Sequence, residues 1–244
     1  MDKEKRIYTS FHDIPPRDYM YFPKGSIDVG KPGKFSRIEI THILISIGVL
    51  TLIFGLVFSK NNIYYALAEN GFNFELLPFD LGLAFLGIFT AFFFHEISHK
   101  FMAQKFGLWA EYRMFSKGLI LAFLLGIFTP LVFASPGAVM FMGGAREHET
   151  GRIAMAGSLT NIIIAGVSYV LYIFVFFESS ILAPVFAFIC IINAFIAFFN
   201  LLPFGPLDGV KILRWNATVW IIMLIFSIFI LMLITPKFYA NIIK

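Results

Sequence analysis

The chain has 244 residues, of which 59% are hydrophobic and only 14% charged, with a mean hydropathy of +0.81. A water-soluble domain runs nearer ~45–50% apolar and ~25% charged, so the composition excludes an ordinary soluble fold and makes a bilayer the expected solvent. The net charge of +4 is no nucleic-acid footprint, because eight of the 19 basic residues precede Ile38 and are mixed there with five acids; basic residues flanking apolar spans act instead as topology determinants.

Residues 1–37 are polar and carry turn signals at Pro15-Pro16, Lys24-Gly25 and Lys31-Pro32-Gly33. They are expected to form a cytoplasmic N-terminal segment without regular structure, and their charge argues against a cleavable leader. Residues 38–244 are expected to be embedded in the membrane. Ile40–Phe58 has the length of a first span. Residues 60–80 read as a loop poor in basic residues, which places them outside if the basic N-terminus is inside. Leu81 to about Phe101 returns as the second span, followed directly by Lys100, Lys105, Arg113 and Lys117, with Lys100, Lys105 and Lys211 expected near the mouth of any water path. Leu119–Ala134 is apolar but short for a crossing and interrupted by Gly126 and Pro130. Residues 135–144 have turn formers at both ends and a short apolar run between, the pattern of a strand. Arg146–Arg152 reads as a polar loop, Ile153–Phe177 and Ile181–Leu202 as two further spans, and Ala217–Ile234 as the last, stopped by Pro236. The fold class is therefore an all-α integral membrane bundle of about five to six transmembrane helices, with a short membrane-associated β element between the second and third spans. Cys190 is the single cysteine and sits in an apolar run, which excludes an intrachain disulfide and a thiolate metal site.

Ionisable side chains inside a membrane-length apolar segment are costly and mark function by default. His95, Glu96 and His99 stand at the end of the run Leu81–Phe94 in the spacing H-E-x-x-H. On a helix this puts two imidazoles one turn apart on one face, able to hold Zn²⁺, with a carboxylate between them placed to act as a base. Catalytic zinc takes a third protein ligand. His12, His42 and His148 are available, but Asp208 is the outstanding candidate, because Pro203 and Pro206 break the preceding helix and free the backbone to bend it toward another span. Asp208 meets the two histidines only if an even number of crossings separates them. Ile153–Phe177 and Ile181–Leu202 supply two, so residues 117–144 are expected to dip into the membrane and return.

His95-Glu96-x-x-His99 followed by Asn200-x-x-Pro203-x-x-Pro206-Leu207-Asp208-Gly209 resembles the site-2 protease family of intramembrane zinc metalloproteases. Gly157-Ser158-Leu159-Thr160-Asn161 is similar to the family's G-P-x-x-N stretch, with Ser158 in place of proline. The likeness covers about residues 80–215, the motif core of a 38–244 metalloprotease domain, and leaves no room for the peptide-binding domain that some members insert. The resemblance implies one Zn²⁺ per chain held by His95, His99 and Asp208, with Glu96 as general base and Asn161 and Asn200 as substrate-orienting or oxyanion-orienting amides. It also implies a membrane-spanning protein substrate cut in or beside its transmembrane segment, with the lipid bilayer as surroundings; the charge distribution adds the expectation of no nucleic-acid partner and of an active-site opening toward the cytoplasm. Plainer roles stand beside these. Asp208 could cap the helix that begins there, Asn161 and Asn200 could bridge helices, His148 could be a solvated loop residue, and Glu111 with Arg113 could form a surface pair. The 135–144 strand could offer a free edge to an extended substrate or simply close the fold. The rival functions are a non-catalytic membrane protein with a structural zinc site and, with less support, a metal transporter.

Overall fold

The computed structural model describes residues 33–242, apart from 69–70, 73, 76, 130–135, 177 and 180. His12 and most of the N-terminal segment lie outside the described residues. Helix α1 (Arg37–Phe58) begins at an N-cap, Ser36, whose hydroxyl accepts the Glu39 N–H at 3.1 Å. The expected loop that follows holds a short helix, α2 (Ile63–Ala68), and the second span starts earlier than its apolar run, at Leu77. That span is continuous from Leu77 to Lys105 and has three parts: α3 (Leu77–Ile88), a π-helical turn (Phe89–Phe93) and α4 (Phe94–Lys105).

A strand that the sequence did not announce, β1 (Trp109–Met114), precedes α5 (Ser116–Phe128) and the expected strand β2 (Gly137–Met142). The two strands pair antiparallel with Trp109 opposite Met142 and Met114 opposite Gly137. The excursion through α5 therefore leaves from and returns to adjacent strand ends, as a dip requires. At 13 residues and ~1.5 Å per residue, α5 is also too short to cross ~30 Å of hydrocarbon.

The polar stretch expected as a loop at Arg146–Arg152 is instead the first turn of α6 (Glu147–Phe174). Glu149 explains the difference: its carboxylate accepts the Arg146 N–H at 2.8 Å, and acids in a first turn complement the helix dipole. Helix α7 (Leu182–Asn200) runs back along α6, and the proline-broken loop leads into α8 (Asp208–Trp215) and α9 (Ala217–Ile242). Pro236 does not stop α9. Proline is tolerated inside membrane helices more readily than in soluble ones.

Five of these helices are long and apolar enough to cross a membrane, and the architecture is an all-α membrane bundle carrying one two-stranded sheet. One buried cluster joins α1, α3 and α7 around Ile47, Phe54, Ile88 and Phe188; a second joins α6, α7 and α9 around Tyr172, Ala187 and Ile234. Bulky apolar side chains such as Leu44, Ile163 and Phe226 face outward, the inverse of a soluble surface.

Candidate metal centre

His95 and His99 lie on the inward face of α4, both buried, with their Nε2 atoms 2.9 Å apart. Asp208 is the first residue of α8, where Leu207 and not Asp208 holds the N-cap position, so its carboxylate is not used as a helix cap. That carboxylate is buried and reaches the pair through Oδ2, at 3.0 Å from His99 Nε2 and 3.4 Å from His95 Nε2. Two features of the chain bring α8 there. The carbonyl of Leu201 packs against Gly209 so closely that a Cβ at that position would overlap it, and the same carbonyl accepts the Trp220 indole N–H at 2.7 Å.

The donor set fits a zinc ion. His99 Nδ1 lies 2.7 Å from Ile153 O, a contact only an Nδ1–H can make favourably, so the neutral ring presents the bare Nε2 toward His95 and Asp208. Three lone-pair donors from two helices then converge with all ligand atoms within 4.8 Å of one another, and they repel unless a cation lies among them. Two imidazoles and a carboxylate are a common ligand set for catalytic zinc. Each of two donors is also fixed from behind, His99 by the Ile153 carbonyl and Asp208 by Lys211, whose Nζ donates to Oδ1 at 3.1 Å. Outer contacts of this kind orient metal ligands.

Glu96 is buried beside the triad, and its Oε2 accepts the backbone N–H of Val139 at 3.2 Å. This fixes which edge of β2 is free. Since Val139 donates away from β1, the period of two turns the amides of Gly137 and Phe141 the same way, while Pro136 O faces back to Phe115 N at 2.8 Å. The free edge borders a cavity of about 320 Å³ lined by His95, Glu96, His99, Asp208, Asn200 and apolar side chains of α1, α3 and α7.

The other expected residues are placed as follows. Asn200 lines the cavity while its amide donates to Ile196 O of its own helix at 3.1 Å. Asn161 is fully buried and donates to Ala91 O on the π-helical turn at 3.0 Å. His42 Nδ1 accepts the Met114 N–H at 3.4 Å, and His148 is half-exposed in the first turn of α6; neither belongs to the triad. Lys100 is not at a water-filled mouth but wholly buried, paired with Glu39 and lying over the Phe35 ring at 3.9 Å. Glu111 and Arg113 do pair, yet Glu111 is buried and also accepts the Ser36 hydroxyl. Gly157 of α6 is marked in the sequence only by resemblance. A Cβ there would overlap His99 Nε2 and stand 2.8 Å from His95 Cε1, so the helix passes the triad with no room for a side chain.

No protein-family model matches the chain, and no solved structure matches it. Two curated proteins of Methanocaldococcus jannaschii do. The one named "Putative zinc metalloprotease MJ0611" is 36% identical over 190 residues, covering 78% of this chain and 90% of that protein. The one named "Zinc metalloprotease MJ0392" is 28% identical over 179 residues, 73% of this chain but only 41% of the relative. With donors suited to zinc at its centre and a relative of that identity matched over nearly its whole length, the chain belongs to the zinc metalloprotease family.

Proposed function

We propose that the protein is an intramembrane zinc endopeptidase of the site-2 protease kind, hydrolysing a peptide bond in or beside the transmembrane segment of a membrane protein. The observation that carries this reading is the convergence of His95, His99 and Asp208 next to Glu96 in a cavity walled by membrane-length helices. Bound there, a zinc ion would polarise a carbonyl and lower the pKa of water to about 7. Glu96 is one residue from His95 and borders the same cavity, so it accepts the proton of the attacking water and returns it to the leaving amine. The open edge of β2 offers the N–H groups of Gly137 and Phe141 and the C=O groups of Gly137, Val139 and Phe141 to an extended stretch of substrate. Such pairing would satisfy the backbone polar groups of an unwound substrate away from water. Asn200 lines the cavity, which supports a role for its side-chain amide in orienting the substrate carbonyl. The basic excess of the N-terminal segment supports a cytoplasmic side for it and for the active-site opening.

The test is a zinc count on purified wild-type and Asp208→Ala protein, with cleavage of a model single-span substrate by wild type and Glu96→Gln. The expected result is one zinc per wild-type chain, loss of zinc in Asp208→Ala, and retained zinc without cleavage in Glu96→Gln. Zinc bound without any cleavage by wild type would favour a structural metal site.

A further inference from the structure

The span that carries the metal motif is interrupted one turn before His95 by the π-helical turn Phe89–Phe93. Such a turn holds one residue more than an α-helix of the same path, and each α-helical residue rotates the chain by about 100°. The turn therefore sets the angle at which everything after it, His95 and His99 included, faces relative to α3. It also disrupts the regular i to i−4 ladder and leaves carbonyls needing partners in surroundings that lack water.

Those groups are met from three sides. Asn161 of α6 donates to Ala91 O at 3.0 Å. Asn193 of α7 donates to the Thr90 hydroxyl at 2.9 Å. The Thr90 hydroxyl in turn lies 2.8 Å from Leu86 O and 3.0 Å from Gly87 O. Both asparagines are fully buried, and neither side-chain carbonyl has a partner. A buried amide with half its capacity unused is costly, so packing alone does not account for either one. What they have in common is consecutive residues of one distorted turn.

From this we infer that Asn161 and Asn193, acting with Thr90, are positioning residues that hold the π-helical turn and through it aim His95 and His99 at Asp208. The inference rests on the zinc-site reading above. It assigns Asn161 to the scaffold of the site, since its amide is engaged on Ala91 and does not line the cavity. It adds Asn193, a residue that no motif marks.

Three forms of the full-length protein in detergent decide the matter: wild type, N161L/N193L, and N161L/N193L lacking Thr90. Zinc affinity is read by competition with a chelator, and ligand geometry by the visible spectrum of the Co²⁺-loaded protein. Without the clasp the turn relaxes to α-helix, the histidines rotate, and zinc affinity falls about 10–100-fold, the range seen when groups that orient metal ligands are lost. Removing one residue from the turn closes it into regular helix while keeping both flanking segments in phase. The deletion therefore restores affinity and the Co²⁺ spectrum despite the missing asparagines. Unchanged affinity in N161L/N193L overturns the inference, and so does a loss that the deletion fails to restore, which would mean that the asparagines only pack helices. A wild-type protein that binds no zinc would overturn the zinc-site reading and this inference together.

Discussion

Gly157→Ala tests whether the close passage of α6 over the triad is what keeps the site open. A Cβ on Gly157 would stand 2.5 Å from His99 Cε1 and 2.8 Å from His95 Cε1, with His99 Nε2 nearer still. Carbon atoms settle about 3.5–4.0 Å apart, so His99 or the helix must move by about 1 Å. His99 has little freedom to do so, since its Nδ1 is held 2.7 Å from Ile153 O on the same α6. A misplacement of about 1 Å costs ~10²-fold in rate, and a disturbed ligand costs ~10–100-fold in metal affinity. The helix itself should gain, because alanine in a helix interior is favoured over glycine by ~0.5–1 kcal/mol. The expected outcome separates the two effects. Zinc affinity and cleavage fall by about two orders of magnitude, while the zinc-free protein melts no lower than wild type. Chelator competition, cleavage of a single-span substrate and thermal unfolding in detergent measure the three quantities. An alanine variant with wild-type zinc affinity would refute the reasoning, as would one that keeps zinc and loses only stability.

Lys211→Met removes the cation that holds Asp208 Oδ1 at 3.1 Å; zinc affinity should weaken ~10-fold or more, and Lys211→Arg should restore most of it in the same chelator titration. Lys100→Met leaves Glu39 as an unpaired buried charge. It should destabilise the protein by ~3–5 kcal/mol in denaturant unfolding, with much of the loss recovered in the double variant Glu39→Leu/Lys100→Met. Val139→Pro deletes an N–H that points to the free edge and not to β1, so the hairpin should survive. Zinc content should stay near one per chain while cleavage of the membrane substrate drops; equal loss of both would make β2 a purely structural strand.

The parts of the fold legible in the sequence are those written in apolar length and proline placement. The five membrane-length helices follow from uninterrupted apolar runs, and the break at Pro203 and Pro206 sits where α7 gives way to α8. The pairing of β1 with β2 on either side of α5 agrees with the return expected from counting crossings between His99 and Asp208, a constraint that needs no local signal. What was illegible is where polar residues serve the interior. Glu111 and Arg113 masked β1, because charges alternating with aromatics read as surface, whereas here they pair with each other and Glu111 also accepts the Ser36 hydroxyl. Arg146–Arg152 read as loop because its acids look solvated, although they begin a helix. The π-helical turn has no marker in its five residues, Phe-Thr-Ala-Phe-Phe, since its partners Asn161 and Asn193 lie on two other helices.

The buried charges also explain how a strand edge is kept in register with a reacting centre. Glu96 and Lys100 are one turn apart on α4 and so share a face. Lys100 binds Glu39, and the other oxygen of Glu39 accepts the Tyr112 N–H of β1 at 3.0 Å. Tyr112 is opposite Val139 in the ladder, and the Val139 N–H returns to Glu96. The circuit leaves α4 at Lys100, passes through α1, β1 and β2, and closes on α4 at Glu96. Glu39, Glu96, Lys100 and Tyr112 are buried and Val139 is half-buried, and in such surroundings hydrogen bonds to charged groups are stronger than in water. The position of the free edge relative to the metal ligands is therefore fixed by the helix that carries two of those ligands. Motion of the sheet away from α4 would break the Tyr112 N–H bond to Glu39 and the Val139 N–H bond to Glu96, so substrate that pairs with β2 meets an edge already set against Glu96.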